Sequence, residues 1–156
     1  MDDMKAARRI LVSACLLGLC CRYDGAGKEC PAVAALAEGG AALVPVCPEQ
    51  LGGLPTPRTP AEIQKDGRVV TADGWDVTEE YLRGAREAVR LAAKLGCREA
   101  VLKARSPSCG CGEVYDGTFS GTLTTGWGFA ARALRDAGLR VMTEEDLAAE
   151  RTAGGS

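Results

Sequence analysis

The chain of 156 residues contains no histidine. That absence removes Cys/His zinc fingers, histidine-assisted serine or cysteine nucleophiles, and His-ligated haem or copper. Proton transfer must then use Glu, Asp, Lys, Tyr, Cys or water. Only 4% of the residues are aromatic, so the core has to be built from Ala, Val and Leu. No apolar run approaches the ~20 residues of a bilayer-spanning helix, and no membrane association is expected. The opening Met1-Asp2-Asp3-Met4-Lys5 lacks the layout of a secretory signal, so a cytoplasmic location is expected. Basic charge is not in excess either. Lys and Arg number 19 against 21 Asp and Glu, for a net charge of −2 with no basic stripe, which argues against bulk nucleic-acid binding.

What the chain has instead is cysteine, eight in all. In a small exported domain an even count suggests disulfides, but this chain is longer and reads as cytoplasmic. There the same count points to metal-ligating or catalytic thiols, with some cysteines acting as small core residues. The remainder is ordinary: 46% apolar and 26% charged residues over a length that suits one domain with a real core.

Short apolar runs alternate with helical patterns. Arg9 to Cys15 reads as a buried strand that ends in a Gly18 loop. Pro31 to Glu38 reads as a helix, with proline in its first turn and Gly39-Gly40 behind it. Ala42 to Cys47 is a second strand, imperfect at Pro45. The segment 48–74 holds Pro48, Pro55, Pro57 and Pro60 and predicts a structured loop, with a small hairpin or irregular strand over 64–71 around Asp66-Gly67. Thr78 to Leu95 has helical spacing (Val77, Tyr81, Leu82, Ala85, Val89, Ala92) and stops at Gly96. A strand over 99–103, a helix over 128–137, a strand over 139–142 and a closing helix capped by Thr143 complete the pattern. The alternation predicts an α/β fold, a single-domain three-layer sandwich with a mainly parallel, Rossmann-like sheet. Residues 1–8 and 151–156 are expected to be flexible ends.

In such sheets ligands sit beyond the carboxyl ends of the strands. Cys15 and Cys47 close two strands, and Cys109 follows a third, so three separated thiols converge on one edge. Several chemistries remain open for them. They can be buried small residues. They can hold zinc with Cys111 or Cys21 as fourth ligand, although no C-x2-C pair is present. A dithiol couple at Cys20-Cys21 or Cys109-Cys111 lacks C-x-x-C spacing. An iron–sulfur cluster on three thiolates would leave one iron open as a Lewis acid.

The stretches Val12-Ser13-Ala14-Cys15-Leu16-Leu17-Gly18 with Arg22-Tyr23-Asp24-Gly25, then Cys47-Pro48-Glu49, then Ser106-Pro107-Ser108-Cys109-Gly110 with Tyr115-Asp116-Gly117-Thr118-Phe119-Ser120-Gly121 resemble the thiouracil desulfidase family. The resemblance runs in order over about residues 9–147. It implies a 4Fe–4S cluster on Cys15, Cys47 and Cys109 and an oxygen-sensitive enzyme. That enzyme would remove sulfur from a thiolated nucleobase such as 2-thiouracil, or a related thioamide, without redox change. The substrate sulfur would bind the open iron and leave as hydrosulfide. It also implies Glu49 as acid/base and Ser106 as a second catalytic group. Arg22, Tyr23, Asp24 and Ser108 are the candidate substrate contacts. Lys103 is expected to be solvent-exposed, Cys97 to be core, and Cys111 to compete as a ligand because it lies two residues from Cys109. An iron–sulfur redox sensor or a sulfur-transfer protein without hydrolytic activity is the alternative reading.

Overall fold

Ile10, Leu11 and Val12 are all fully buried, so the strand that carries them must be covered on both faces. The computed structural model, which describes residues 8–153, shows how. Strand β1 (Arg9–Ser13) pairs in parallel with β2 (Ala42–Val46) on one side and β5 (Glu99–Leu102) on the other. β8 (Arg140–Thr143) adds to β5, giving a four-stranded parallel sheet of order β2-β1-β5-β8. Side chains alternate across a strand. Leu11, Ala100 and Leu102 therefore face α3 (Thr78–Leu95) and α4 (Phe129–Asp136), meeting Ala85, Ala88, Ala92, Ala130 and Leu134. Ile10, Val12, Val101 and Met142 face the other way, onto Val33 of α1 (Pro31–Glu38) and Leu147 of α5 (Glu144–Ala153). The expected three-layer α/β sandwich is the fold observed. Its scarcity of aromatics is met by alanine faces that let α3 and α4 pack closely. Pro45, which has no N–H to donate, is tolerated because β2 is an edge strand.

Several boundaries differ from the expectation. Segment 48–74 is not all loop: Pro48–Leu51 forms a single helical turn, α2. Its hairpin joins β3 (Ala61–Ile63) to β4 (Val69–Thr71), so it begins before 64. A second hairpin, β6 (Glu113–Tyr115) with β7 (Leu123–Thr125), was not anticipated. Its signal was Asp116-Gly117, a turn-forming pair with Gly117 at φ +96°. Glu62 of β3 joins the hairpins by accepting the Gly117 and Phe119 N–H groups at 2.9 and 3.1 Å.

The expected flexible ends, 1–8 and 151–156, lie mainly outside the described residues. Arg8 is held by a two-pronged pair to Glu99, with both contacts at 2.6 Å, and α5 continues to Ala153. Thr143 caps α5 as expected: its Oγ accepts the Asp146 N–H at 3.1 Å, and Asp146 accepts the Thr143 N–H at 3.0 Å. Among the described residues no helix is long and apolar enough to cross a membrane.

Candidate functional site

A cavity of about 440 Å³ opens at the carboxyl ends of β1, β2 and β5. Each strand ends in a different local structure. After β1 the chain makes a 3-10 turn (Ala14–Leu17) closed by Gly18 at φ +87°, and Cys15 lies within it. After β2, Cys47 is the residue before α2, whose first position is Pro48. After β5, residues 106–109 form a turn organised by a side chain: Ser106 Oγ accepts the N–H groups of Ser108 and Cys109 at 3.0 and 3.1 Å. Cys15, Cys47 and Cys109 all line the cavity. Ser13, the last residue of β1, binds two of these segments. Its hydroxyl accepts the Lys103 N–H at 2.9 Å and donates to Cys109 Sγ at 3.2 Å.

Close backbone approach keeps the cysteine segments in place. A methyl group on Gly84 of α3 would lie 2.0 Å from the Pro48 carbonyl oxygen, so only glycine lets α2 sit on α3. Gly128, before α4, plays the same part against the backbone of Ser108, 2.5 Å from where its Cβ would stand.

Burial pushes the Cys15 thiol up to about 11, with the Lys103 charge partly offsetting it. Burial also raises Cys109, which Glu49 raises further and the Ser13 hydrogen bond pulls back. These thiols therefore hold their protons until a cation takes the place of the proton. Among the described residues no three His, Cys, Asp or Glu groups stand close enough to hold one metal ion. That spacing disfavours a zinc centre, whose thiolates must all come to ~2.3 Å of one atom. Soft thiol donors spread around one cavity, Cys15, Cys21, Cys47 and Cys109, with no imidazole, instead fit a polynuclear iron–sulfur group.

Glu49 enters the same space from α2 and is held at both oxygens. The Tyr81 hydroxyl donates to Oε2 at 3.0 Å, and Arg58 Nη2 lies 3.6 Å from Oε1. Burial and the neighbouring Glu49 raise Tyr81 well above its ordinary value, so it remains a neutral donor. Arg58 also donates to the carbonyls of Cys21 and Pro55 at 3.0 and 3.1 Å, while its buried Nε has no partner among the described residues. Ser106 lines the cavity, and because its oxygen already accepts two N–H bonds, its O–H is left to donate. Tyr23 and Arg22 stand at the rim, the guanidinium 6.0 Å from the ring centroid.

Other expected contacts are not brought in. Asp24 is off the wall; its Oδ1 accepts the Ala26 N–H at 3.0 Å and shapes a turn. Ser108 is likewise off the wall, buried where its carbonyl accepts the Ala130 and Ala131 N–H groups of α4. Lys103 is not solvent-exposed: it lines the cavity and pairs with Glu144 at 3.1 Å. Cys111 is outside the cavity, its thiol donating to the Cys109 carbonyl at 3.4 Å, while Cys21 is inside it. Arg58 and Tyr81 were not singled out from the sequence.

A parallel α/β sheet that delivers thiols, a clamped carboxylate and donor hydroxyls from separate strand ends into one cavity defines a class of protein suited to a soft metal centre beside an ionisable group. The chain belongs to the 2-thiouracil desulfurase family, whose model matches residues 10–146. It is 43% identical over 147 residues to the uncharacterized protein YbbK of Bacillus subtilis (strain 168), an alignment covering 88% of this chain and 97% of that one. A solved structure described as the [4Fe-4S]-dependent thiouracil desulfidase TudS superposes with a TM-score of 0.83 at 46% identity, covering 95% of this chain and 98% of the other.

Proposed function

We propose that this protein is a cytoplasmic desulfidase, a single domain that converts a thiolated pyrimidine such as 2-thiouracil to its oxo form, using a 4Fe–4S cluster on Cys15, Cys47 and Cys109. The observation that carries the reading is the gathering of these thiols and Glu49 around one 440 Å³ cavity. Family membership and the likeness to TudS support it. The reaction balances without electrons: water supplies the oxygen and sulfur leaves as hydrosulfide. When bound, the cluster supplies a soft Lewis-acidic iron that matches a thiocarbonyl sulfur and stabilises the charge that develops as the C–S bond breaks.

The chain's own residues do the rest. Glu49 accepts a proton from the attacking water, with Tyr81 and Arg58 fixing the direction in which its carboxylate faces. The Ser106 hydroxyl donates to a ring heteroatom, held in place by the turn it caps. Tyr23 offers a flat face to the base at the rim, and the Lys103 cation offsets the negative charge of thiolates and leaving group. None of the eight cysteines is in a disulfide, as suits a reducing compartment.

The test is anaerobic reconstitution followed by a count of iron and acid-labile sulfide and an assay of sulfide release from 2-thiouracil. Cys15→Ser, Cys47→Ser and Cys109→Ser are each expected to lose the cluster. Glu49→Gln should keep it and lose at least about 10²-fold in turnover, the lower end of what a positioned base contributes. A loaded wild type that releases no sulfide would overturn the function, and full turnover in Glu49→Gln would remove the carboxylate from it.

A further inference from the structure

The cavity holds one more thiol than the three assigned above. Cys21 lines it, is 7% exposed, and stands beside Cys47, whose thiol reaches its backbone. Its position is built rather than incidental. The Cys21 carbonyl accepts Arg58 Nη2 at 3.0 Å and the Cys47 thiol at 3.8 Å, and the Tyr23 carbonyl accepts the Arg58 N–H at 2.6 Å. Arg58, which also pairs with Glu49, thus pins the backbone that presents Cys21 to the cavity.

Cys21 differs from the other three in its support. Cys47 directly follows β2, Cys15 lies in the 3-10 turn directly after β1, and Cys109 is tied to β1 through Ser13. Cys21 belongs instead to the loop 18–30. Apart from the Arg58 and Cys47 contacts and the Val33 and Ala34 N–H groups of α1 that bond the Cys30 carbonyl, that loop's backbone bonds run within itself or to the Cys15 and Leu16 carbonyls. A χ1 rotation moves a cysteine sulfur between staggered positions without moving its backbone.

We propose that Cys21 is a detachable fourth thiolate that caps the open iron when no sulfur ligand is present and yields it to an incoming one. The inference rests on the cluster reading given above. The exchange is redox-neutral: Cys21 releases a proton as its sulfur bonds to iron, and takes one back when hydrosulfide, the product anion, displaces it. The cap lowers the apparent affinity for any incoming ligand in proportion to the uncapped fraction.

The experiment compares anaerobically loaded wild type, Cys21→Ala, Cys21→Ser and Cys20→Ala, the last replacing an exposed neighbour outside the cavity. Each is titrated with sodium hydrosulfide and followed by visible absorbance and by the paramagnetic resonance spectrum of the reduced cluster. The expected result is full cluster content in all four, and an altered ligand-free spectrum in both Cys21 variants. Hydrosulfide should bind Cys21→Ala about tenfold more tightly if nine in ten wild-type molecules are capped. Cys20→Ala should match the wild type. Identical ligand-free spectra and affinities in wild type and both Cys21 variants would overturn the proposal while leaving the cluster reading intact. Loss of the cluster in both Cys21 variants with retention in Cys47→Ser would overturn it too, making Cys21 a permanent ligand. A wild type that takes up no iron would instead sink the cluster reading, and the cap with it.

Discussion

Replacing Tyr81 by phenylalanine removes one oxygen and leaves the ring, so it isolates what that hydroxyl does. The ring is 3% exposed and packs edge-on to Phe129, with centroids 6.2 Å apart at 76°, contacts that phenylalanine reproduces. Among the described residues the hydroxyl's one hydrogen-bond partner is Glu49 Oε2 at 3.0 Å. A hydrogen bond to a charged group is worth about 1.5–3 kcal/mol. Arg58, 3.6 Å from the other oxygen, still holds the carboxylate in the variant, so the lower end applies. About 1.4 kcal/mol is a tenfold change in rate. Tyr81→Phe is therefore expected to lower kcat for sulfide release from 2-thiouracil by about tenfold, with KM and iron content unchanged, because the hydroxyl aims the base and touches neither the thiols nor the rim. Tyr81→Leu, which also loses the ring packing, should lose stability as well as rate. Unchanged kcat in fully loaded Tyr81→Phe would refute the positioning argument, and an equal fall in iron content would show a structural role instead.

Gly84→Ala forces a methyl group to within 2.0 Å of the Pro48 carbonyl oxygen and must push α2 off α3, taking Cys47 and Glu49 with it. Urea unfolding should show about 1–3 kcal/mol of destabilisation, as overpacking does, together with reduced iron uptake. Gly39→Ala, whose Cβ would meet nothing nearer than 3.5 Å, should leave iron uptake unchanged. The Arg8 hydrogen bonds hold the Glu99 carboxyl below its ordinary value. The pair's contribution is thus fully present above the unfolded carboxylate value of about 4.3 and fades as pH falls below it toward the depressed folded one. Since Arg8 is 54% exposed, Glu99→Gln should cost at most about 1 kcal/mol at neutral pH. That gap should close in acid, and a gap that persisted there would refute the pairing as its source.

The parts of this molecule that could be read from its sequence are those whose cause is local. Ile10-Leu11-Val12 and Ala100-Val101-Leu102 are apolar on both alternating faces, which only a covered parallel sheet explains, and the helices between them follow from spacing and glycine stops. With strand ends placed, the meeting of Cys15, Cys47 and Cys109 at one edge followed from topology, whereas the roles given to Glu49 and Ser106 came from the family resemblance. What stayed hidden depends on partners far away in the chain. Tyr81 keeps helical spacing with Val77 and Ala85, and nothing in that pattern distinguishes a core ring from one whose hydroxyl meets a carboxylate on α2. Arg58 sits in a proline-rich segment where a surface arginine is the ordinary expectation, yet its side chain is 7% exposed and touches Glu49 and the Cys21 carbonyl. Lys103 was misjudged for the same reason, its partner Glu144 lying beyond another strand. The two spare cysteines show the limit most clearly. Cys111 is two residues from Cys109 but lies outside the cavity with its thiol on the Cys109 carbonyl, whereas Cys21, on a loop closed by the Cys15 and Leu16 carbonyls, comes back into the cavity. Proximity along the chain is a poor guide to which thiols share a space. The bonds that close the loop decide it, and those are made between residues that no short motif contains.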